Sequence, residues 1–435
     1  MSGLMISAPS TGSGKTTVTL GLLRALRNAG YAIAPGKAGP DYIDTAFHAA
    51  ASGEACFNFD PWGMRKELLL ANAALHASGG KTLVIEAMMG LFDGAADGSG
   101  SAAELASILG LSVVLVVDCA KASHSIAALV SGFANFRVDT RIVGVILNRV
   151  GSARHEAMLR SAMDKIRMPV FAVMRSDNTL TIPERHLGLV QAGEHGELDA
   201  FIEHAATAVA AECDLEALMR AARYIPDKPS DANILRLPPL GQKIAVARDV
   251  AFAFCYEHML FGWKRRGAEI SFFSPLADEA PADDADAVYL PGGYPELHAG
   301  EIAAASNFRA GLIAARDRGA RIFGECGGYM VLGEGLIDAD GVRHEMLGML
   351  PVVTSFETRK RHLGYRHMRP LGSSFFTDPM NGHEFHYATV VSEGEGDALF
   401  QVEDALGADL GQAGRQRGNV AGSFMHLVDI RSEEQ

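Results

Sequence analysis

APSTGSGKTT, residues 8–17, decides the fold of this chain. An apolar run at 4–8 precedes it and reads as a short buried strand, and 17–26 reads as a helix. Between them, Gly12 and Gly14 let the backbone close around an anion. Lys15 brings a point charge for terminal phosphates, and Thr16 brings a hydroxyl for Mg²⁺. Gly12, Ser13, Gly14, Lys15, Thr16 and Thr17 form the candidate cradle for ATP at a helix N-terminus. Pro9 stands where the strict G-x-x-x-x-G-K-[ST] pattern has its first glycine, so the loop is of an unusual type. A plain Gly-rich turn is the competing reading, and G-K-T-T between strand and helix argues against it.

The chain has 435 residues, too many for one core, and predicts two domains or three. A net charge of −13 argues against nucleic acid as a main partner, because phosphate backbones need a basic face. The five cysteines stand singly with no C-x-x-C pair, which disfavours a zinc or disulfide framework and fits a reducing, cytoplasmic setting. A signal peptide is not expected, since no positive segment precedes an N-terminal apolar stretch, nor a membrane span, since no uncharged apolar run is long enough.

The fold class expected is α/β: a doubly wound, mostly parallel phosphate-loop sheet followed by a second α/β domain. TLVIEA (82–87), VVLVVD (113–118), IVGVILN (142–148) and MPVFAVM (168–174) are apolar on both faces, as strands of a covered parallel sheet are. Stretches 101–110 and 123–135 read as helices between them. Residues 226–242 are proline-rich and read as a linker with the boundary near 235, between domains at 1–225 and 243–435. Strand patterns resume at 243–248, 268–274, 287–293 and 320–328.

In KAGPDYIDTAFH (37–48), Asp41 and Asp44 follow an extended segment and suit either Mg²⁺ or substrate, with Asp41 as a helix cap the alternative. Glu86 ends a buried strand, where a carboxylate is costly unless paired or on a metal. Asp93 lies beside glycine in AMMGLFDG (87–94), a candidate substrate-facing turn. Asn148 offers a paired donor and acceptor for an adenine edge, or caps a turn. Arg185, in IPERHLGL (182–189), suits a carboxylate-bearing ligand or belongs to a solvated loop.

GECGG (324–328) has the strand–turn–helix form of a nucleophile elbow, with Cys326 at the turn and a thiol expected to be lowered by the following helix N-terminus. Backbone N–H groups of Gly327 and of Gly293, in PGG (291–293), are the candidate oxyanion donors. His426, in GSFMHLVDI, is the base preferred over His383 and His386.

Together APSTGSGKTT, KAGPDYID, EAMMGLFDG, ILNRVGSARH, LPGGYPELHA, GECGGYMVLGEGL, GHEFHY and GSFMHL resemble the cobyrinic acid a,c-diamide synthase family of cobalamin biosynthesis, including the branch acting on metal-free hydrogenobyrinic acid. The resemblance runs end to end. It implies a dethiobiotin-synthetase-like ATPase domain and a class I glutamine amidotransferase domain. By that likeness Thr16, Asp41 and Glu86 hold Mg²⁺, and Lys15 stabilises the moving phosphoryl group. Asp41, Tyr42, Asp44, Asp93 and Arg185 serve the corrin tetrapyrrole or its intermediate, with Asp44 and Asp93 also in the catalytic set. Cys326 attacks L-glutamine with His426 as its base. The position two residues after that base, where many such glutaminases carry Glu, is Val428; Asp429 is one step off, so the third member is unassigned, with Glu384 a candidate. Cobyric acid synthase, which amidates other corrin side chains, is the nearest rival. A MinD/ParA-like ATPase switch is disfavoured, because its second lysine is replaced by Ser10 and it needs no elbow cysteine. A homodimer is compatible with this reading.

Overall fold

A computed structural model describes residues 2–180, 197–222 and 234–431, with the backbone of 184–185, 188–189 and 223–224. Contacts divide the chain into two units: Met1–Trp62 with Lys66–Ile234, and Leu235–Gln435 with Gly63–Arg65.

The first unit is built on seven parallel strands: β1 (Ser2–Ser7), β2 (Ile33–Ala38), β3 (Phe57–Phe59), β4 (Thr82–Glu86), β5 (Ser112–Asp118), β6 (Arg141–Val150) and β7 (Val170–Arg175). Their order is β3-β2-β4-β1-β5-β6-β7, and Arg223–Tyr224 adds an antiparallel edge pairing to β1. The chain winds from β1 to one edge and then crosses to the other, so the order reverses around β1. Ligands of open α/β sheets bind at that switch point, beyond the carboxyl ends of the strands. The loop after β1 is the phosphate loop. Helix α1 (Lys15–Asn28) follows it and packs Leu20, Leu22, Leu23 and Leu26 into the core with Val84 and Val114. The expected strand at 168–174 begins only at Val170, because the backbone turns at Arg167 (φ 55°) ahead of Pro169.

The second unit carries a ten-stranded mixed sheet. Five parallel strands come first in space: Glu269–Phe273, Lys243–Ala247, Ala287–Leu290, Arg321–Glu325 and Val420–Ser423. An antiparallel extension follows through Asp409–Arg417, Asp397–Asp404, His362–Pro370, Met380–His386 and Met425–Ile430. A four-stranded sheet holds Gly335–Ile337 and Val352–Ser355 beside it. Phe252, Val288, Phe308, Ile322 and Val331 are among the fully buried side chains of its core. All five cysteines are free thiols, and no described helix is long and apolar enough to cross a membrane.

Candidate active sites

The phosphate loop folds as its glycines require. Gly12 and Gly14 have φ of 83° and 82°, the left-handed region in which a side chain is strained. The Ser13 hydroxyl ties the loop by donating to the Ser10 carbonyl (2.9 Å). Lys15 is buried at the first position of α1, and burial pushes its ammonium down although Glu86, 3.8 Å away, opposes that.

Glu86, at the end of β4, is fully buried and is the hub of the site. Its Oε1 accepts from the Thr16 hydroxyl (2.8 Å) and the Lys37 ammonium (2.9 Å), and its Oε2 faces His48 Nε2 at 2.7 Å. Burial works against ionisation of Glu86, but Lys37 and His48 outweigh it and hold the carboxyl well below its usual range. Lys37 also pairs with Asp44. Burial opposes the charge on Lys37, and Asp44 and Glu86 prevail to hold its ammonium up. Asp44 is pushed up to about 6, by burial first and then by Asp41, against the pull of Lys37.

Asp41 does two things. Its Oδ1 accepts from the N–H groups of Ile43 and Asp44, starting helix α2 (Ile43–Ser52), while Oδ2 stays 4.0 Å from Lys37. Both readings of Asp41 therefore have a physical basis. Thr16 in the first turn of α1, Asp41 in the turn before α2 and Glu86 at the end of β4 supply a hydroxyl and two carboxylates, the hard oxygen set that Mg²⁺ takes. Asp44 and Tyr42, by contrast, are buried, so neither presents an open face to a large substrate. Asp93 is exposed, with Oδ2 accepting from the Gly90 N–H (3.0 Å). The Arg185 side chain lies outside the described residues.

Asn148 lines a cleft beside the loop, together with Gly14, Thr17, Arg149, Met174 and Leu180. Its amide is already committed: Nδ2 donates to the Ser13 carbonyl (2.9 Å) and Oδ1 accepts from the Arg149 N–H (3.0 Å). In this arrangement Asn148 clamps the phosphate loop rather than offering its edge to a base. Arg149, in the left-handed region at φ 59°, reaches the Gly12 carbonyl (2.9 Å) and Asp118 (2.6 Å). The sequence flagged the Asn-Arg pair only through Asn148. Lys37 and His48 it set inside the motif at 37–48, without the roles their contacts give them.

In the second unit, strand Arg321–Glu325 ends in an elbow. Cys326 has φ 47° and ψ −103°, a strained backbone at the point where helix Gly327–Leu332 begins. A Cβ on Gly292 would lie 2.7 Å from His426 Cε1 and 3.3 Å from Cys326 Cβ, so the candidate nucleophile and base flank one glycine. A Cβ on Gly327 would stand 3.1 Å from the Gly293 nitrogen, which sets the two candidate oxyanion donors side by side. The thiol departs from expectation: burial, with Glu296 adding to it, pushes Cys326 up rather than down. A six-residue helix offers too little dipole to offset that desolvation.

The third carboxylate is one the sequence reading passed over. Glu325 Oε2 lies 3.7 Å from His426 Nδ1, and both side chains are buried. Glu325 also accepts from the Tyr289 hydroxyl (2.8 Å) and the Leu427 N–H (3.3 Å). On the other side of the base, the His383 ring stacks against His426 at 4.7 Å, with its Nε2 2.7 Å from the Tyr256 hydroxyl. Asp429 points elsewhere and pairs with Arg65 (2.9 Å). Glu384 is also engaged elsewhere: it pairs with Arg366 (2.7 Å) and lies 2.9 Å from His386 Nε2. His362, Glu384 and His386 put one ligand atom each within 4.8 Å of one another. The two imidazoles, however, stack 6° from parallel, so their in-plane lone pairs do not converge on one ion, and Arg366 fills the other oxygen of Glu384.

A phosphate loop at a switch point and a cysteine elbow with its histidine define a two-module amidotransferase: one module binds nucleotide, the other frees nitrogen from an amide. Residues 243–433 match the CobB/CobQ-like glutamine amidotransferase domain, and residues 4–190 match the CobQ/CobB/MinD/ParA nucleotide binding domain. A hydrogenobyrinate a,c-diamide synthase from a Sinorhizobium species is 68% identical, covering 99% of both chains. The one from Rhizobium meliloti is 68% identical over 99% of this chain and 100% of its own, and that from Brucella anthropi 60% over the whole of both. The chain belongs to the hydrogenobyrinate a,c-diamide synthase family.

Proposed function

We propose that this protein amidates the a and c acetate carboxylates of hydrogenobyrinic acid in cobalamin biosynthesis, with glutamine as nitrogen donor and ATP as co-substrate. The observation that carries the reading is the pairing, in one chain with end-to-end relatives of that name, of the Lys15–Glu86–Lys37 cluster with the Cys326–His426 elbow. The relatives' names favour the metal-free substrate over its cobalt counterpart, and set aside both the cobyric acid synthase and the ATPase-switch alternatives.

In the first unit, Thr16, Asp41 and Glu86 are the residues to hold Mg²⁺, which when bound spreads the charge of the phosphate oxygens. Lys15 and the loop N–H groups position the γ-phosphoryl group for transfer to a substrate carboxylate, giving an acyl phosphate and ADP. Lys37, held charged by Asp44 and Glu86, adds a fixed positive charge to the same corner. Ammonia then displaces phosphate and leaves the amide. Asp93 is the candidate to meet the substrate from outside, a reading supported by its exposure.

In the second unit, His426 takes the proton of the Cys326 thiol as sulfur attacks the glutamine amide carbon, and returns it to the departing ammonia. Water hydrolyses the thioester to glutamate. Gly293 and Gly327 N–H groups receive the oxyanion of both steps. Glu325 completes the set by holding the His426 Nδ1 side, in the role first considered for Glu384. Releasing ammonia inside the protein supplies it unprotonated and locally concentrated.

Mass spectrometry of hydrogenobyrinic acid and of cobyrinic acid, each incubated with enzyme, glutamine, ATP and Mg²⁺, tests this. Two carboxyl-to-amide conversions on the metal-free substrate are expected. Conversion of neither, with glutamine hydrolysis intact, overturns the substrate while keeping the amidotransferase.

A further inference from the structure

One carboxylate beside the nucleophile has no use in the chemistry above. Glu296 lies in the turn Pro295–Leu297, and its Oε2 is buried with no hydrogen-bond partner among the described residues. A buried carboxylate oxygen without a donor is costly, because water's hydrogen bonds are lost and nothing replaces them. Such a group is kept where a ligand supplies the missing donor.

Its place in the fold says which ligand. The turn is built against the elbow: a Cβ on Gly327 would stand 2.8 Å from Pro295 Cδ. The charge of Glu296 reaches the Cys326 sulfur, where it adds to burial in pushing the thiol up. The carboxyl itself is pushed up to about 7 by burial, against a hydrogen bond from its own backbone N–H and then the charge of Arg359. Among the species this pocket must admit (glutamine, water, ammonia and glutamate), the amino acids bring a fixed α-ammonium group at the far end of a three-carbon arm from the reacting carbon. An ammonium group has three donors and a full positive charge, the complement of an ionised carboxylate short of a partner.

We propose that Glu296 receives the α-ammonium group of glutamine and is the residue by which the site distinguishes glutamine from other amides. The assignment rests on Cys326 being the glutamine nucleophile. Binding in this way fills the empty side of Oε2.

The test compares glutamine with glutaramate, the same amide lacking the α-amino group, in the full-length enzyme and in Glu296→Gln. In the unaltered protein, glutaramate should be hydrolysed with kcat/KM lower than that for glutamine by on the order of 10- to 100-fold, the worth of a charged hydrogen bond. Glu296→Gln should raise KM for glutamine by a similar factor and leave glutaramate hydrolysis undiminished or faster, since it also removes a charge that pushes the thiol up, so that the preference collapses. Amidation driven by ammonium chloride should be unchanged in the variant. Equal losses on both amides would make Glu296 a packing residue and overturn the proposal. Should the variant fail to fold, an unaltered enzyme that does not prefer glutamine over glutaramate overturns it as well. Failure of the underlying reading shows separately: Cys326→Ala would then retain glutamine hydrolysis.

Discussion

Glu325 and His426 are both buried, with Oε2 of the carboxylate 3.7 Å from Nδ1 of the imidazole. With Oε2 of Glu325 on the Nδ1 side, the tautomer protonated at Nδ1 is favoured, and Nε2 is left to accept the thiol proton. The Tyr289 hydroxyl and the Leu427 N–H fix the carboxylate, so its direction does not depend on His426. Glu325→Gln keeps the shape and removes the charge. It should lower kcat for glutamine hydrolysis by about 100-fold with KM nearly unchanged, the size of effect that general-base alignment carries. Amidation with ammonium chloride should persist, and steady-state kinetics with the two nitrogen sources separate these. An unchanged glutaminase kcat would remove Glu325 from the set. Sequence reading passes over this residue for a physical reason: Glu325 is the chain neighbour of Cys326, and nothing along the chain says that His426 lies across from it. His48 is hidden in the same way, since its bond to Glu86 joins α2 to β4 through the fold.

Elements buried on both faces were the legible ones. β4, β5 and the inner part of β6 are continuous apolar runs, because a parallel sheet is covered above and below. His362–Pro370 and Thr389–Glu393 are mostly half-buried or exposed and carry histidine, arginine and glutamate, so neither alternation nor an apolar run announces them. The antiparallel extension, to which His362–Pro370 belongs, is held partly by polar contacts, with Glu384 paired across strands to Arg366 and on its own strand to His386. Burial opposes ionisation of Glu384, but the hydrogen bond and charge of His386, with Arg366, hold its carboxyl down to about 2 against an ordinary 4.5. A carboxyl depressed in the folded state gives stability that is complete above its unfolded value and is lost as pH falls through the folded one. The window is therefore about pH 4.5 down to 2, and the full effect is roughly 3 kcal/mol. Glu384→Gln mimics the protonated acid. The thermal midpoint of the unaltered protein should exceed that of the variant above pH 4.5, and the gap should close towards pH 2. A gap independent of pH would mean that Glu384 acts by shape alone.

At the scale of the whole molecule, two chemistries with opposite needs share one chain. On the function proposed above, phosphoryl transfer needs fixed positive charge in a corner of carboxylates, and Lys15 and Lys37 are the ammonium groups that pair with Glu86 there. Amide cleavage needs a thiol in an apolar wall that loses its proton only when a base and a substrate are in place. The motifs for both were legible because each bends the backbone in a way only glycine-rich sequence permits. The partners that tune them were not, since they come from other strands. Separate machinery predicts separate failure. Cys326→Ala should abolish amidation from glutamine and leave amidation from ammonium chloride within about twofold, because no covalent intermediate is needed when ammonia is supplied. Lys15→Ala should lower amidation from both sources by about 100-fold or more while glutamine is still hydrolysed, because the charge it removes acts on phosphate alone. Product analysis by mass spectrometry, with glutamate release measured in parallel, reads both variants. If Lys15→Ala silenced glutamine hydrolysis as completely as amidation, the thiol would be under the control of the nucleotide site, and the elbow would be a gated nucleophile rather than an independent one.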